Sequence, residues 1–227
     1  MYSNKRDRLP IEKKTIEFSV WGLLKDALGK ELSHFSTPVF LNEPISMLQR
    51  LCENFQYAEL LNYASTEKNQ FKRLAYIVAF DLSAFGFNIY RTLKSFNPIL
   101  GETFEYIDND LCFKYLAEQV SHHPPISACY VEGLNYDVYS NTHVETKFNL
   151  FKGALFITPN SKTYINLFKV GDRPKERYDY SKPKIACKGL IFGKMRLDCY
   201  GKFEVNNRNT GDIATVEFME EGGKTKH

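Results

Sequence analysis

Pro98 divides the chain into two textures, and the second leaves few folds open. Beyond it, short apolar runs follow one another at residues 104–107, 111–116, 126–131, 144–150, 154–158, 164–170, 185–192, 195–200, 203–205 and 214–219. Their separators are rich in Gly, Asn, Asp and Pro, as turns require, and Asp108-Asn109-Asp110 reads as the turn of a hairpin. The connections are too short for crossover helices, so these strands must run antiparallel. Residues 172–184, charged and carrying two prolines, are the most loop-like stretch. Such a sheet has to close on itself or hide its edges.

Before Pro98 the apolar spacing is helical. Residues 18–32 carry Val20, Leu23, Leu24, Ala27 and Leu28 up to Gly29. Asn42-Glu43-Pro44 reads as a helix start with Pro44 in the first turn, followed at threes and fours by Ile45, Leu48, Leu51, Cys52 and Phe55. A longer helix is expected from about residue 68 to 93, with Phe71, Leu74, Val78, Leu82, Phe85, Ile89 and Leu93 on one stripe. Tyr76, Ala79, Phe80, Phe87 and Tyr90 add a second apolar face, which suits a helix buried among other elements. The expected class is mainly β with N-terminal helices.

The net charge of +3 is too small to point to nucleic acid. Locally, Lys5, Arg6, Arg8, Lys13 and Lys14 outnumber Asp7 and Glu12, which suits either an anionic membrane surface or a solvated tail. Five cysteines without CxxC spacing suggest neither a disulfide framework nor a zinc site, and fit a reducing compartment. No apolar run is long enough to span a bilayer and the start is not a signal peptide. A cytoplasmic protein that touches membranes from outside is expected.

The sharpest local feature is Glu118-Gln119-Val120-Ser121-His122-His123-Pro124-Pro125-Ile126. The prolines remove two backbone donors, fix two φ angles and force an extended exit. Imidazoles can donate hydrogen bonds to a phosphate, so a rigid His122–His123 pair would make a compact anion clamp; a structural histidine pair beside a turn is the alternative. Adjacent residues on an extended chain point to opposite faces, and His34, His143 and His227 have no ligand spacing to the pair, so no metal is expected. Ser121 beside His122 does not make a hydrolase, and there is no Gly-x-Ser-x-Gly elbow; no enzyme and no cofactor are expected. The second feature is Lys94-Ser95-Phe96-Asn97-Pro98-Ile99-Leu100-Gly101-Glu102. Lys94 at a helix end suits the dipole or can meet a phosphate as a mobile point charge; a C-terminal cap followed by a turn explains the same residues. Trp21 with Leu23 and Leu24 could cover a cavity, dip into a bilayer interface, or simply pack.

These stretches together resemble the ligand-binding domain of the oxysterol-binding protein family. Residues 118–127, EQVSHHPPIS, look like its fingerprint, and residues 94–102, KSFNPILGE, are similar to its KPFNPLLGE, with Ser95 in place of the usual proline. Residues 42–50, NEPISMLQR, resemble NEPLSxLQR; residues 18–25 fit the domain's entry; residues 193–218 resemble a strand meander with a TG turn. The likeness covers nearly all of this chain and only part of the family domain, whose further strands and C-terminal head-group contacts lie outside it.

The resemblance implies one partial domain over residues 1–227: a lid and entry at 1–18, a helical part at 19–94, and a β-barrel part at 98–220. The implied fold is an incomplete antiparallel β-barrel around a lipid tunnel, closed by the N-terminal lid. The implied activity is non-enzymatic lipid binding and transfer between membranes, with phosphatidylinositol 4-phosphate exchanged for a sterol or phosphatidylserine. A lipid sensor or membrane-contact scaffold that binds without efficient transfer is the alternative. By motif, His122, His123, Lys94 and Asn97 would hold the phosphoinositide head group, while Leu9 and Pro10 of an RxxLP pattern, with Trp21, would form the lid or tunnel mouth. The implied location is cytoplasmic, peripheral at organelle membranes or membrane contact sites.

Overall fold

The computed structural model describes residue 39 and residues 42–86, 93–149, 151–168, 170–171, 175–189 and 196–219, all within the compact unit Thr37–His227. The helix expected at residues 18–32, and Leu9, Pro10 and Trp21, lie outside the described residues. Among the described residues, no helix is long and apolar enough to cross a membrane.

The first described element is a strand. β1 (Asn42–Ser46) precedes α1 (Met47–Cys52) and a 3-10 turn (Glu53–Phe55). The helix therefore starts later than Asn42-Glu43-Pro44 suggests. Ser46 is its N-cap: the Ser46 Oγ accepts from the Leu48 N–H at 3.2 Å, and the Gln49 Oε1 accepts from the Ser46 N–H at 3.0 Å, the reciprocal bonding of a capping box. Residues 42–46 are free to pair in parallel with β2 (Lys94–Phe96). The Asn42 amide donates to the Ser95 carbonyl at 3.2 Å, and the Arg50 guanidinium donates to the Leu93 carbonyl at 3.0 Å and to Glu43 at 2.9 Å. The short ladder and these side chains fix the segment that carries Lys94.

α2 (Glu59–Thr66) and α3 (Gln70–Gly86) follow the 3-10 turn. The buried face of α3 is Arg73, Leu74, Ile77, Phe80, Asp81 and Ala84, rotated from the expected stripe so that Phe71 is 63% exposed. With apolar residues on both faces, periodicity alone does not say which face meets the sheet.

The rest is antiparallel sheet: β3 (Thr103–Asp108), β4 (Phe113–His122), β5 (Pro125–Gly133), β6 (Tyr136–Asn149), β7 (Ala154–Pro159), β8 (Thr163–Leu167), β9 (Glu176–Tyr180), β10 (Lys184–Lys188), β11 (Arg196–Asn207) and β12 (Ile213–Phe218). The strands β3 to β7 form a meander, and β6 changes partners along its length. Its first half lies between β5 and β8; its second half pairs with β7. Pairings β7–β10, β10–β11, β11–β9 and β9–β8 then return to β6, forming a ring of strands, with β12 added beside β11. The strands expected at residues 195–200 and 203–205 are one strand. It passes from β10 to β12 at Gly201, whose φ of +83° admits a bend that a side chain would strain.

The stretch expected to be most loop-like contains β9. Its charges are neutralised from elsewhere: Glu176 by Arg73 of α3, Asp179 by Arg208. The core lies between the helices and one face of the sheet. There Phe55 packs 5.5 Å from Phe80 and 5.8 Å from Tyr115, centroid to centroid, over Val131, Val138 and Ile165.

Candidate functional site

The histidine pair sits at the tight turn between β4 and β5. His122 is the last residue of β4 and pairs with Pro125, so His123 and Pro124 form the tip. The His123–Pro124 peptide is cis, which puts proline at the third position as in a type VI turn. Because His123 lies in the turn, the two rings are not sent to opposite faces. Their centroids are 4.8 Å apart with planes at 69°. His123 is exposed and His122 half-buried, and the His122 Nδ1 finds no hydrogen-bond partner among the described residues. A buried ring nitrogen without a partner is costly unless something supplies one.

Gln119 holds this turn in place. It is 1% exposed; its Oε1 accepts from the Ser127 hydroxyl at 2.5 Å and its Nε2 donates to the Ser121 carbonyl at 2.8 Å. These bonds brace a bulge at Val120, where the register shifts between Gln119 and Ser121. The backbone of Gln119 also docks the second motif. The Gly101 N–H donates to its carbonyl at 2.9 Å, and its N–H donates to the Glu102 carbonyl at 3.0 Å. Glu102 closes the preceding turn by accepting from the Ile99 N–H at 3.1 Å, and Gly101 adopts a φ of +78°. Thus the segment carrying Lys94 and Asn97, both exposed, is fastened to β4 next to the histidine turn through Gly101, Glu102 and Gln119. The two sequence motifs are bonded neighbours, and the Gln119 backbone is their link.

A cavity lies between α1, α3 and strands β5, β6, β8 and β9, where Phe55, Phe80 and Val138 meet Asp81, Ser140 and Tyr180. Asp81 is 2% exposed and its Oδ2 has no hydrogen-bond partner among the described residues. Burial raises its pKa, against the opposing pull of Lys182 and of the Tyr180 hydroxyl. Burial likewise holds the Tyr180 phenol well above its ordinary range, with Asp81 adding to the effect. The Cys129 thiol, on the same wall, is pushed up to about 11 by burial and is an inert neutral group at physiological pH. A raised carboxyl pKa means that the charged form is penalised in the fold, so stability falls as pH rises above the unfolded value of about 3.9. Asp81→Asn is therefore expected to melt higher than the wild type at pH 7, and the gap should shrink towards pH 4. Thermal melts across that range check it, and a gap independent of pH would exclude Asp81 as the titrating group. The sequence did carry a signal here: Asp81 is the lone acid within the apolar run of α3.

Residues 19–227 match the family model described as Oxysterol-binding protein. The chain belongs to the oxysterol-binding protein family. It is 36% identical over 222 residues to Oxysterol-binding protein homolog 2 of Saccharomyces cerevisiae, a match covering 97% of this chain and 17% of that protein. It is 38% identical over 213 residues to Oxysterol-binding protein-related protein 2 of Mus musculus, covering 93% of this chain and 43% of that one. The crystal structure of the Osh1 ORD domain in complex with cholesterol superposes with a TM-score of 0.88 at 36% identity, over 96% of this chain and 52% of the other. The Osh3 ORD in complex with PI(4)P, from Saccharomyces cerevisiae, superposes with a TM-score of 0.81 at 30% identity, over 93% and 55%. The chain thus spans about half the length of the ORD chains it matches, and less of the curated relatives.

Oxysterol-binding proteins are lipid-binding proteins rather than enzymes, and the strand ring packed against helices is the partial barrel of that fold. In this family member, Lys94, Asn97, His122 and His123 lie on two motifs held together by the Gln119 backbone.

Proposed function

We propose that this family member carries one lipid at a time between membranes, taking phosphatidylinositol 4-phosphate as one cargo and a sterol or phosphatidylserine as the other. The observation that carries this reading is that the same stretch of chain superposes on one relative solved with cholesterol and another solved with PI(4)P. Two chemically unlike lipids on one fold support overlapping occupancy, and overlap would make one cargo displace the other without covalent chemistry. A lipid leaving a bilayer regains its apolar contacts inside the protein at about 25 cal/mol per Å². Its phosphates need donors at the entrance, because an unpaired charge cannot be buried cheaply. His122 and His123 are assigned as those donors, Lys94 as a point charge and Asn97 as an amide partner. Leu9, Pro10 and Trp21 are assigned to the lid or mouth. The protein acts in the cytoplasm, peripheral to organelle membranes.

Native mass spectrometry of the intact protein, incubated with vesicles containing each lipid, tests the reading. Mutually exclusive one-to-one complexes with phosphatidylinositol 4-phosphate and with a second lipid are expected, followed by multiple-turnover transfer between two vesicle populations. A ternary complex, or binding without turnover, would rule out exchange.

A further inference from the structure

The hairpin between β6 and β7 ends in an apolar side chain that no core explains. Phe151 is 99% exposed. It sits in a defined turn: Asn149 pairs with Ala154, the Asn149 Oδ1 accepts from the Lys152 N–H at 3.0 Å, and Gly153 takes a φ of +53°. Exposed lysines flank it. Lys147 lies opposite Phe156, and the Lys152 ammonium stands 5.9 Å from the centroid of the same ring. Of the nearby carboxylates, Glu145 of β6 accepts from the Asn160 amide at 2.6 Å and Asp198 of β11, two strands from β7, is paired with Lys188 at 3.0 Å. The hairpin therefore presents the exposed Phe151 ring at its tip and two exposed lysines on its flank, beside Phe156.

Its place in the sheet is the second observation. His143 of β6 is level with Ile126, one residue into β5 from the histidine turn. β6 then runs on through Asn149 beyond the start of β5, which at about 3.4 Å per residue carries the tip roughly 20 Å further along the strand. The overhang is at the same end of the sheet as His122 and His123. Ile99 and Leu100, 71% and 64% exposed, stand in the loop docked beside that turn.

We propose that the β6–β7 tip is a bilayer anchor: Phe151 enters the interface of an anionic membrane while Lys147 and Lys152 meet lipid phosphates. It rests on the carrier reading in one respect, that this end of the sheet faces the membrane. The anionic surface is favoured over a protein groove by the exposed lysines of the same hairpin, since juxtamembrane lysines are drawn to anionic lipid and an aromatic side chain is at home in the interface.

Co-sedimentation of the full chain with phosphatidylcholine vesicles, with and without about one third phosphatidylserine, tests the anchor. Phe151→Asp is expected to weaken partition onto the anionic vesicles by about tenfold or more. Lys147→Glu and Lys152→Glu should each weaken it by about fivefold, an effect that fades at high salt. Melting temperatures should not move, because none of the three side chains is buried. In Phe151→Trp, emission should shift to the blue and be quenched by lipids brominated on the acyl chains, relative to the wild type. Wild-type sedimentation by Phe151→Asp, or an unshifted Phe151→Trp on vesicles that bind the protein, would overturn the anchor and leave the tip to a protein partner. Loading with a fluorescent phosphatidylinositol 4-phosphate from solution separates the two readings. Loading with an unimpaired Phe151→Asp sinks only the anchor, whereas Phe151-dependent sedimentation without loading sinks only the carrier.

Discussion

Alanine at both His122 and His123 is expected to lower extraction of phosphatidylinositol 4-phosphate by at least about 100-fold, while sterol uptake stays within about twofold. In the proposed assignment each imidazole donates a hydrogen bond to an anionic oxygen, and such charge-assisted bonds are worth about 1.5–3 kcal/mol apiece. Two of them exceed the threshold for two decades of affinity. The fold should tolerate the change. His123 is exposed, and the His122 Nδ1 has no partner among the described residues, so its loss strands no donor or acceptor there. What shapes the turn is retained: Pro124, Pro125 and the Gln119 bonds to Ser121 and Ser127. Labelled-lipid extraction from vesicles by the intact protein measures the loss, and a melting curve matching the wild type shows that the turn survives. Equal extraction by the double variant would remove the histidines from head-group binding.

The parts of the fold legible in the sequence are those whose information is local. The β3–β4 hairpin, with its Asp108-Asn109-Asp110 turn, combines alternating burial with turn residues. The histidine turn is equally local, since two prolines in series leave the backbone few choices. What escaped reading depends on partners distant in the chain. β9 looks like a charged loop because Glu176 and Asp179 are polar in isolation; Arg73 and Arg208 make them compatible with burial. β1 looks like a helix start until Lys94–Phe96 is placed beside it. Of the candidate site, the motif residues and the lone acid of α3 are visible in the sequence, but that the Gln119 backbone joins the motifs and that Asp81 lines the cavity emerge only with tertiary structure.

Arg73 makes the strongest of these remote connections, and Arg73→Met is expected to destabilise the chain by about 3–5 kcal/mol at pH 7. Its guanidinium grips Glu176 with two bonds of 2.7 Å and caps the approach to α3 through the Glu67 and Lys68 carbonyls at 3.1 and 2.7 Å. The Tyr178 hydroxyl adds a third bond to Glu176 at 2.8 Å. The side chains are 6% and 2% exposed, so removing one charge leaves the other buried and unpaired. Burial alone would raise the Glu176 pKa; the hydrogen bonds from Arg73 and Tyr178 outweigh it and hold the carboxyl below its ordinary value. That contribution is present above the unfolded pKa of about 4.3 and is lost as pH falls through the lower folded value. In Arg73→Met the opposite sign applies: Glu176, now unpaired, takes up a proton more readily, so the deficit should narrow from pH 7 to pH 4. Replacing both partners with apolar residues, Arg73→Met with Glu176→Leu, should recover much of the loss, because the pair stabilises little beyond its own desolvation cost. Urea unfolding at the two pH values distinguishes these outcomes. A deficit below about 1 kcal/mol at pH 7, the range of an exposed pair, would mean that α3 and β9 are held by apolar packing alone.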